Sequence, residues 1–93
     1  MSQLTEATLR SDYDAMKAAI ADGAKLNEFD DLKMTALLWA IMRGDIDAVR
    51  LLLDAGADPN VRANADDSPL WSAEDDWGFL EIAALLRSYG ATK

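Results

Sequence analysis

The chain has 93 residues, no cysteine and no histidine, and carries 17 acidic against 9 basic residues for a net charge of −8. That length makes one small domain, and the missing side chains exclude disulfides, thiolate chemistry, imidazole ligands and the usual general base. The basic residues Arg10, Lys17, Lys25, Lys33, Arg43, Arg50, Arg62, Arg87 and Lys93 are scattered singly, so nucleic acid and anionic membranes, which need a basic patch, are not expected partners.

In chain order, Asp12 stands where an N-cap is expected for a helix closed by Gly23, its carboxylate able to accept from free amides of the first turn. Residues 27–34 are rich in Asn and Asp and too long for a tight helix–helix turn, which predicts an exposed loop or a short hairpin. Leu37, Ala40 and Ile41 then recur at helical spacing. After Gly44, Asp45 repeats the N-cap signal ahead of a second apolar run of Ala48, Val49, Leu51, Leu52 and Leu53, closed by Gly56. Residues 60–67 form a second loop, Ser68-Pro69-Leu70 open a third helical stretch, and Gly90 closes it.

These elements repeat. At an offset of 33, Asp12-Tyr13-Asp14-Ala15 aligns with Asp45-Ile46-Asp47-Ala48, and Gly23-Ala24-Lys25-Leu26-Asn27 aligns with Gly56-Ala57-Asp58-Pro59-Asn60. Ser68-Pro69-Leu70 follows Thr35-Ala36-Leu37 by 33, but Gly90-Ala91 follows Gly56-Ala57 by 34, so one residue is inserted between Ala73 and Gly78. Self-similarity at this period implies a stack of two-helix units, each too small to bury its apolar face alone.

The central unit, with Thr35-Ala36-Leu37-Leu38-Trp39-Ala40, Gly44-Asp45 and Val49-Arg50-Leu51-Leu52-Leu53-Asp54-Ala55-Gly56-Ala57-Asp58-Pro59-Asn60, resembles the ankyrin repeat; Ser68-Pro69-Leu70-Trp71-Ser72-Ala73 resembles the opening of a further copy, and the first unit a degenerate one. The resemblance implies an all-α ankyrin-repeat solenoid, one domain over 1–93 with repeats near 2–29, 30–62 and 63–93, joined by hairpin-like loops. Lys33 and Asp66 stand where the family has a turn glycine, so less regular hairpin tips are expected. Thr5, Glu6 and Thr8 on the opening helix, and Arg87 in place of the leucine seen at Leu53, predict polar outer faces and hence a complete, capped three-repeat array.

The resemblance further implies a non-enzymatic module that binds another protein through its concave face and hairpin tips. Carried over by position, that surface comprises Leu9, Arg10 and Phe29; Asp31, Leu32, Met34, Met42, Arg43 and Arg62; and Asn64, Ala65, Asp67, Asp75 and Asp76. Leu32, Met34 and Met42 offer adaptable apolar contacts or plug gaps between repeats. The acidic cluster of Asp66, Asp67, Glu74, Asp75 and Asp76, followed by Trp77, is either a solvated face or a docking rim for a basic partner. Glu74, Asp75 and Asp76, expected at a helix C-terminus, oppose the helix dipole. Trp77 is an interface anchor or a core cap, while packing is expected of Trp39 and Trp71.

The rival reading from charge and size is an acidic inhibitor, of the immunity-protein kind, that neutralises a basic nuclease or toxin. Self-association through Phe79, Ile82, Leu86 and Tyr89 is a third option, not the expected one. No cofactor or metal is expected, because the acidic spacing lacks the alternation of a calcium loop. Catalysis is not expected either, since the serines have no evident base. The N-terminus shows no secretory signal and the longest apolar run, residues 36–42, falls far short of the ~20 needed to span a bilayer, so a cytoplasmic protein is expected.

Overall fold

The computed structural model describes residues 2–62, 68–76 and 78–92, with Asp76 described in its backbone alone. Among these residues there are α-helices and no strand: α1 Gln3–Leu9, α2 Tyr13–Ala21, α3 Ala36–Met42, α4 Ile46–Asp54, α5 Pro69–Trp71 and α6 Leu80–Ser88, with a π-helical turn Ser72–Asp76 continuing α5. The expected stack of helix pairs is what forms.

Local chemistry starts the helices in register with the repeat. A hydroxyl caps each opening helix: Ser2 Oγ accepts from the Thr5 amide at 3.1 Å, Thr35 Oγ1 from Leu38 at 3.2 Å and Ser68 Oγ from Trp71 at 3.0 Å. Carboxylates cap the second helices, Asp12 accepting from the Ala15 amide at 3.1 Å and Asp45 from Ala48 at 3.2 Å. Between them, Leu4, Met16, Leu37, Ile41, Val49, Leu52 and Leu86 are withdrawn from solvent into one core. Each such side chain contributes about 1.5–3 kcal/mol.

Polar side chains tie neighbouring units together at the same spacing. Asn27 Oδ1 accepts from the Asp58 amide at 2.8 Å, and 33 residues on Asn60 Oδ1 accepts from Thr92 at 2.9 Å. Asp45 does more than cap α4: the Ser11 hydroxyl and the Tyr13 phenol each donate to its carboxylate at 2.7 Å, joining the α1–α2 turn to the next unit. Partial burial pushes the Asp45 carboxyl up, but the hydroxyls of Ser11 and Tyr13, the Ala48 amide and the Arg43 charge outweigh it and hold the group below the usual carboxylate range.

Two expectations change. Thr5 and Thr8 are buried, and only Glu6 of that trio is exposed; the Thr8 hydroxyl donates to the Leu4 carbonyl at 2.7 Å, so a helix-internal bond lets the side chain enter the core. The turn at Lys33 is regular. Lys33 adopts φ +60, the conformation a glycine would supply, and its amide donates to the Asp30 carbonyl while the Asp30 amide donates to that of Met34, both at 2.9 Å. The interval that holds the extra residue of the third unit overlaps a turn of helix widened to i→i+5 bonding, Ser72–Asp76.

Candidate functional site

The segment from Phe29 to Met34 is fixed by Asp30. One carboxylate oxygen accepts from the amides of Leu32 at 2.8 Å and Met34 at 3.0 Å, and the other accepts from Trp39 Nε1 at 2.7 Å, which fastens the tip to α3. Burial pushes the Asp30 carboxyl up, but the Trp39 indole and the two amides prevail and hold it below its ordinary value. With its backbone held this way the tip presents Leu32 at 67% exposure and Phe29 at 46%. Asp31 beside them is exposed, and Met34 is half-buried at the foot of the turn.

Phe29 and Asp31 meet Ser2, Thr5, Glu28 and Asp30 around a groove of about 290 Å³ against the start of α1. Met42 and Arg43 sit at the opposite end of α3, about 10 Å along the helix axis from the tip side. Met42 is 41% exposed and Arg43 is exposed. An aliphatic side chain open to water at a rigid turn, and a flexible thioether open at the far end of the adjoining helix, leave apolar area that a second protein can cover. Arg62 is half-buried, Leu9 half-buried and Arg10 exposed, its guanidinium 3.8 Å from Glu6.

Of the acidic rim, the structure describes the side chains of Glu74 and Asp75. Asn64, Ala65, Asp66, Asp67 and Trp77 lie outside the described residues, as does the Asp76 side chain. Glu74 is half-buried and bonded to the Arg87 guanidinium at 2.5 Å, so its charge is answered within the unit; Asp75 is exposed. The dipole cost expected of these carboxylates is offset at Glu74 by that arginine. Of the four residues named for self-association, Ile82 and Leu86 are corrected, because both are buried in the core on the inward face of α6, while Phe79 is half-buried and Tyr89 is exposed. Trp39 and Trp71 are half-buried, in keeping with packing.

Two residues that matter here escaped the reading of the sequence. Asp30 reads in the sequence as one more loop acid, its only signal being an Asp three residues ahead of Lys33, which takes the glycine place of the turn. Leu80, at 72% the most exposed large apolar side chain described, sits at the start of α6, where the helical pattern alone does not tell it from its buried neighbours. No three carboxylates among the described residues are grouped to hold a metal ion, and no helix among them is long and apolar enough to cross a membrane.

A family model for ankyrin repeats, in three copies, matches residues 4–93. The chain is similar to the DNA-binding protein RFXANK of Homo sapiens, 37% identical over 62 residues that make 66% of this chain and 24% of that protein. It is also similar to the Ankyrin repeat domain-containing protein 63 of Mus musculus, 33% identical over 87 residues, 92% of this chain and 22% of that protein. The chain thus spans about a quarter of the length of these relatives.

Proposed function

Because the chain belongs to the ankyrin-repeat family, a non-catalytic fold that generally mediates protein–protein interaction, we propose that it captures one protein partner on the surface made by the 29–34 tip and the exposed end of α3. The observation that carries this reading is the Asp30 clasp, which spends a carboxylate and an indole on holding a solvent-exposed leucine in place. Ordering the tip before binding lowers the entropy that association must overcome. Leu32, Met34 and Met42 supply the apolar contact, and Phe29, Asp31, Arg43 and Arg62 the surrounding specificity. Asn64, Asp66, Asp67, Glu74, Asp75, Asp76 and Trp77 would extend the surface along the third unit.

The test is a tagged pull-down from the native host lysate, comparing the wild type with Met42→Glu and Leu32→Ser. Leu80→Ser serves as the control for apolar exposure elsewhere. A specific partner lost with the first two variants and kept with the control supports the assignment. A partner retained by both Met42→Glu and Leu32→Ser refutes it. Elution that is insensitive to salt agrees with an apolar centre, whereas release of a strongly basic protein at moderate salt would favour the acidic-inhibitor reading.

A further inference from the structure

The second helices of the three units begin alike. Tyr13, Ile46 and Leu80 are the first residues of α2, α4 and α6, at spacings of 33 and 34. Each presents a large apolar body at a helix end. Because α2 packs on α4 and α4 on α6, the three side chains form a row across the stack, at the end of the helix pairs opposite the 29–34 tip. Tyr13 and Ile46 are only half-buried although a further unit stands beside each, and Leu80 is 72% exposed. Around Ile46 and Leu80 the surface opens into a recess of about 230 Å³ shared with Gly44, Phe79 and Ile82. The third unit extends the apolar character of this end: Phe79 stands where Asp12 and Asp45 cap their helices, so α6 forgoes a side-chain cap and gains a ring beside the recess.

The next residue of each helix is an acid, Asp14, Asp47 or Glu81, and all three are exposed. A carboxylate in a first turn complements the helix dipole, but among the described residues none of the three is in an ion pair. The arginines at the same end are engaged on the inner side: Arg10 lies 3.8 Å from Glu6, and Arg43 is close enough to Asp45 to help hold its carboxyl low. The row is therefore flanked along its outer side by negative charge open to a partner.

The spacing of the row favours one kind of occupant. Packed helices lie about 8–10 Å apart, and residues seven apart along an α-helix are separated by about 10.5 Å on one side of it. A helix laid across α2, α4 and α6 thus sets one apolar side chain against each member of the row, with basic side chains beside them facing the acids. A second copy of this chain would bring acid against acid, and an anionic lipid surface is repelled in the same way. We propose that the Tyr13–Ile46–Leu80 row docks an amphipathic helix of a partner protein that carries apolar residues at every seventh position and Lys or Arg along one flank. This surface is separate from the tip at Leu32, and the two can be broken independently.

The probe is a synthetic helix of about 20 residues, long enough to cross the row, with Leu at every seventh position and Lys along one flank, titrated calorimetrically into the full chain. The wild type should bind it, more weakly as salt rises, and Leu80→Ser, which alters an exposed side chain, should weaken binding about tenfold. The same peptide with Glu in place of Lys should not bind, and Leu32→Ser should bind as the wild type does. Circular dichroism shows that each variant is folded. Failure of the wild type to bind the Leu/Lys helix, equal binding of a scrambled peptide of the same composition or of the Glu peptide, or a folded Leu80→Ser protein that binds unchanged would each overturn the proposal. Loss with Leu32→Ser in place of Leu80→Ser would move the helix to the tip and overturn it as well.

Discussion

Between α3 and α4 the chain turns at Gly44 and re-enters helix under the Asp45 carboxylate, whereas at the same place in the third unit it turns at Gly78 and re-enters at Phe79, which makes no side-chain cap bond. Each of these residues also reaches back to the turn of the unit before it. Asp45 accepts from Ser11, and the Phe79 ring lies over Gly44, where an added Cβ would come within 3.0 Å of Cζ. One position in the repeat is thus a joint between units, built once from hydrogen bonds to a charge and once from ring burial. The lesson is that the repeat conserves the location of the joint while its physics is free to change, so the two joints should respond differently to the same perturbation.

The largest expected effect is at the polar joint. Asp45→Ala removes the α4 cap and leaves the Ser11 and Tyr13 hydroxyls without their acceptor, a loss of about 2–3 kcal/mol, whereas Asp12→Ala removes a cap alone and costs about 1 kcal/mol. Urea unfolding of both variants checks this, and equal losses would mean that Asp45 is only a cap. At the apolar joint, Gly44→Ala sets a Cβ against Phe79 at a φ of +66 and should cost about 2 kcal/mol. Gly78→Ala meets the same strain at φ +67 but, among the described residues, no neighbouring atom within 4 Å, and should cost about 1 kcal/mol. Denaturation midpoints that do not separate the two would remove the ring contact from the account.

Acid should distinguish the joints further. The Asp45 carboxyl is held below its unfolded value, so its contribution is complete above the unfolded pKa and is lost as pH falls through the folded one. At high pH the sign reverses for its donor. The hydrogen bond to Asp45, with burial and the Asp45 and Asp47 charges, raises the Tyr13 phenol, so its contribution is present below the unfolded pKa and lost as pH rises through the folded one. Asp45→Asn should flatten both flanks of the stability–pH profile, while Phe79→Leu should shift the whole curve and leave its shape unchanged. A profile unaltered in Asp45→Asn would place the titration elsewhere. The smallest effect is at the binding tip: Lys33→Gly relieves a positive φ but loosens the unfolded chain, for a net gain of a few tenths of a kcal/mol. A loss in thermal melting would show that the lysine side chain, not its backbone, holds the turn.

Of the candidate surface, the sequence located the tip and the end of α3 because both are read from position within a repeat. It did not reveal that Asp30 organises the tip, since a side chain bonded to Leu32, Met34 and Trp39 leaves no mark in a hydrophobic pattern. The partner of Glu74 was hidden for a similar reason. Composition counts Glu74 as one more negative charge, and only the approach of α6 supplies the arginine that neutralises it.

What the sequence by itself determined was the two-helix unit, its number of copies, the carboxylate caps and the place of the inserted residue, all of them consequences of near-neighbour chemistry and a fixed period. Only the tertiary structure decided which face of each unit is apolar to its neighbour, that Thr5 and Thr8 enter the core, and how Asp30, Asp45 and Glu74 are each used. Those outcomes depend on pairs of residues that folding brings within about 3 Å of each other, and electrostatic and hydrogen-bond energies follow that distance and the local burial, not the order of residues along the chain.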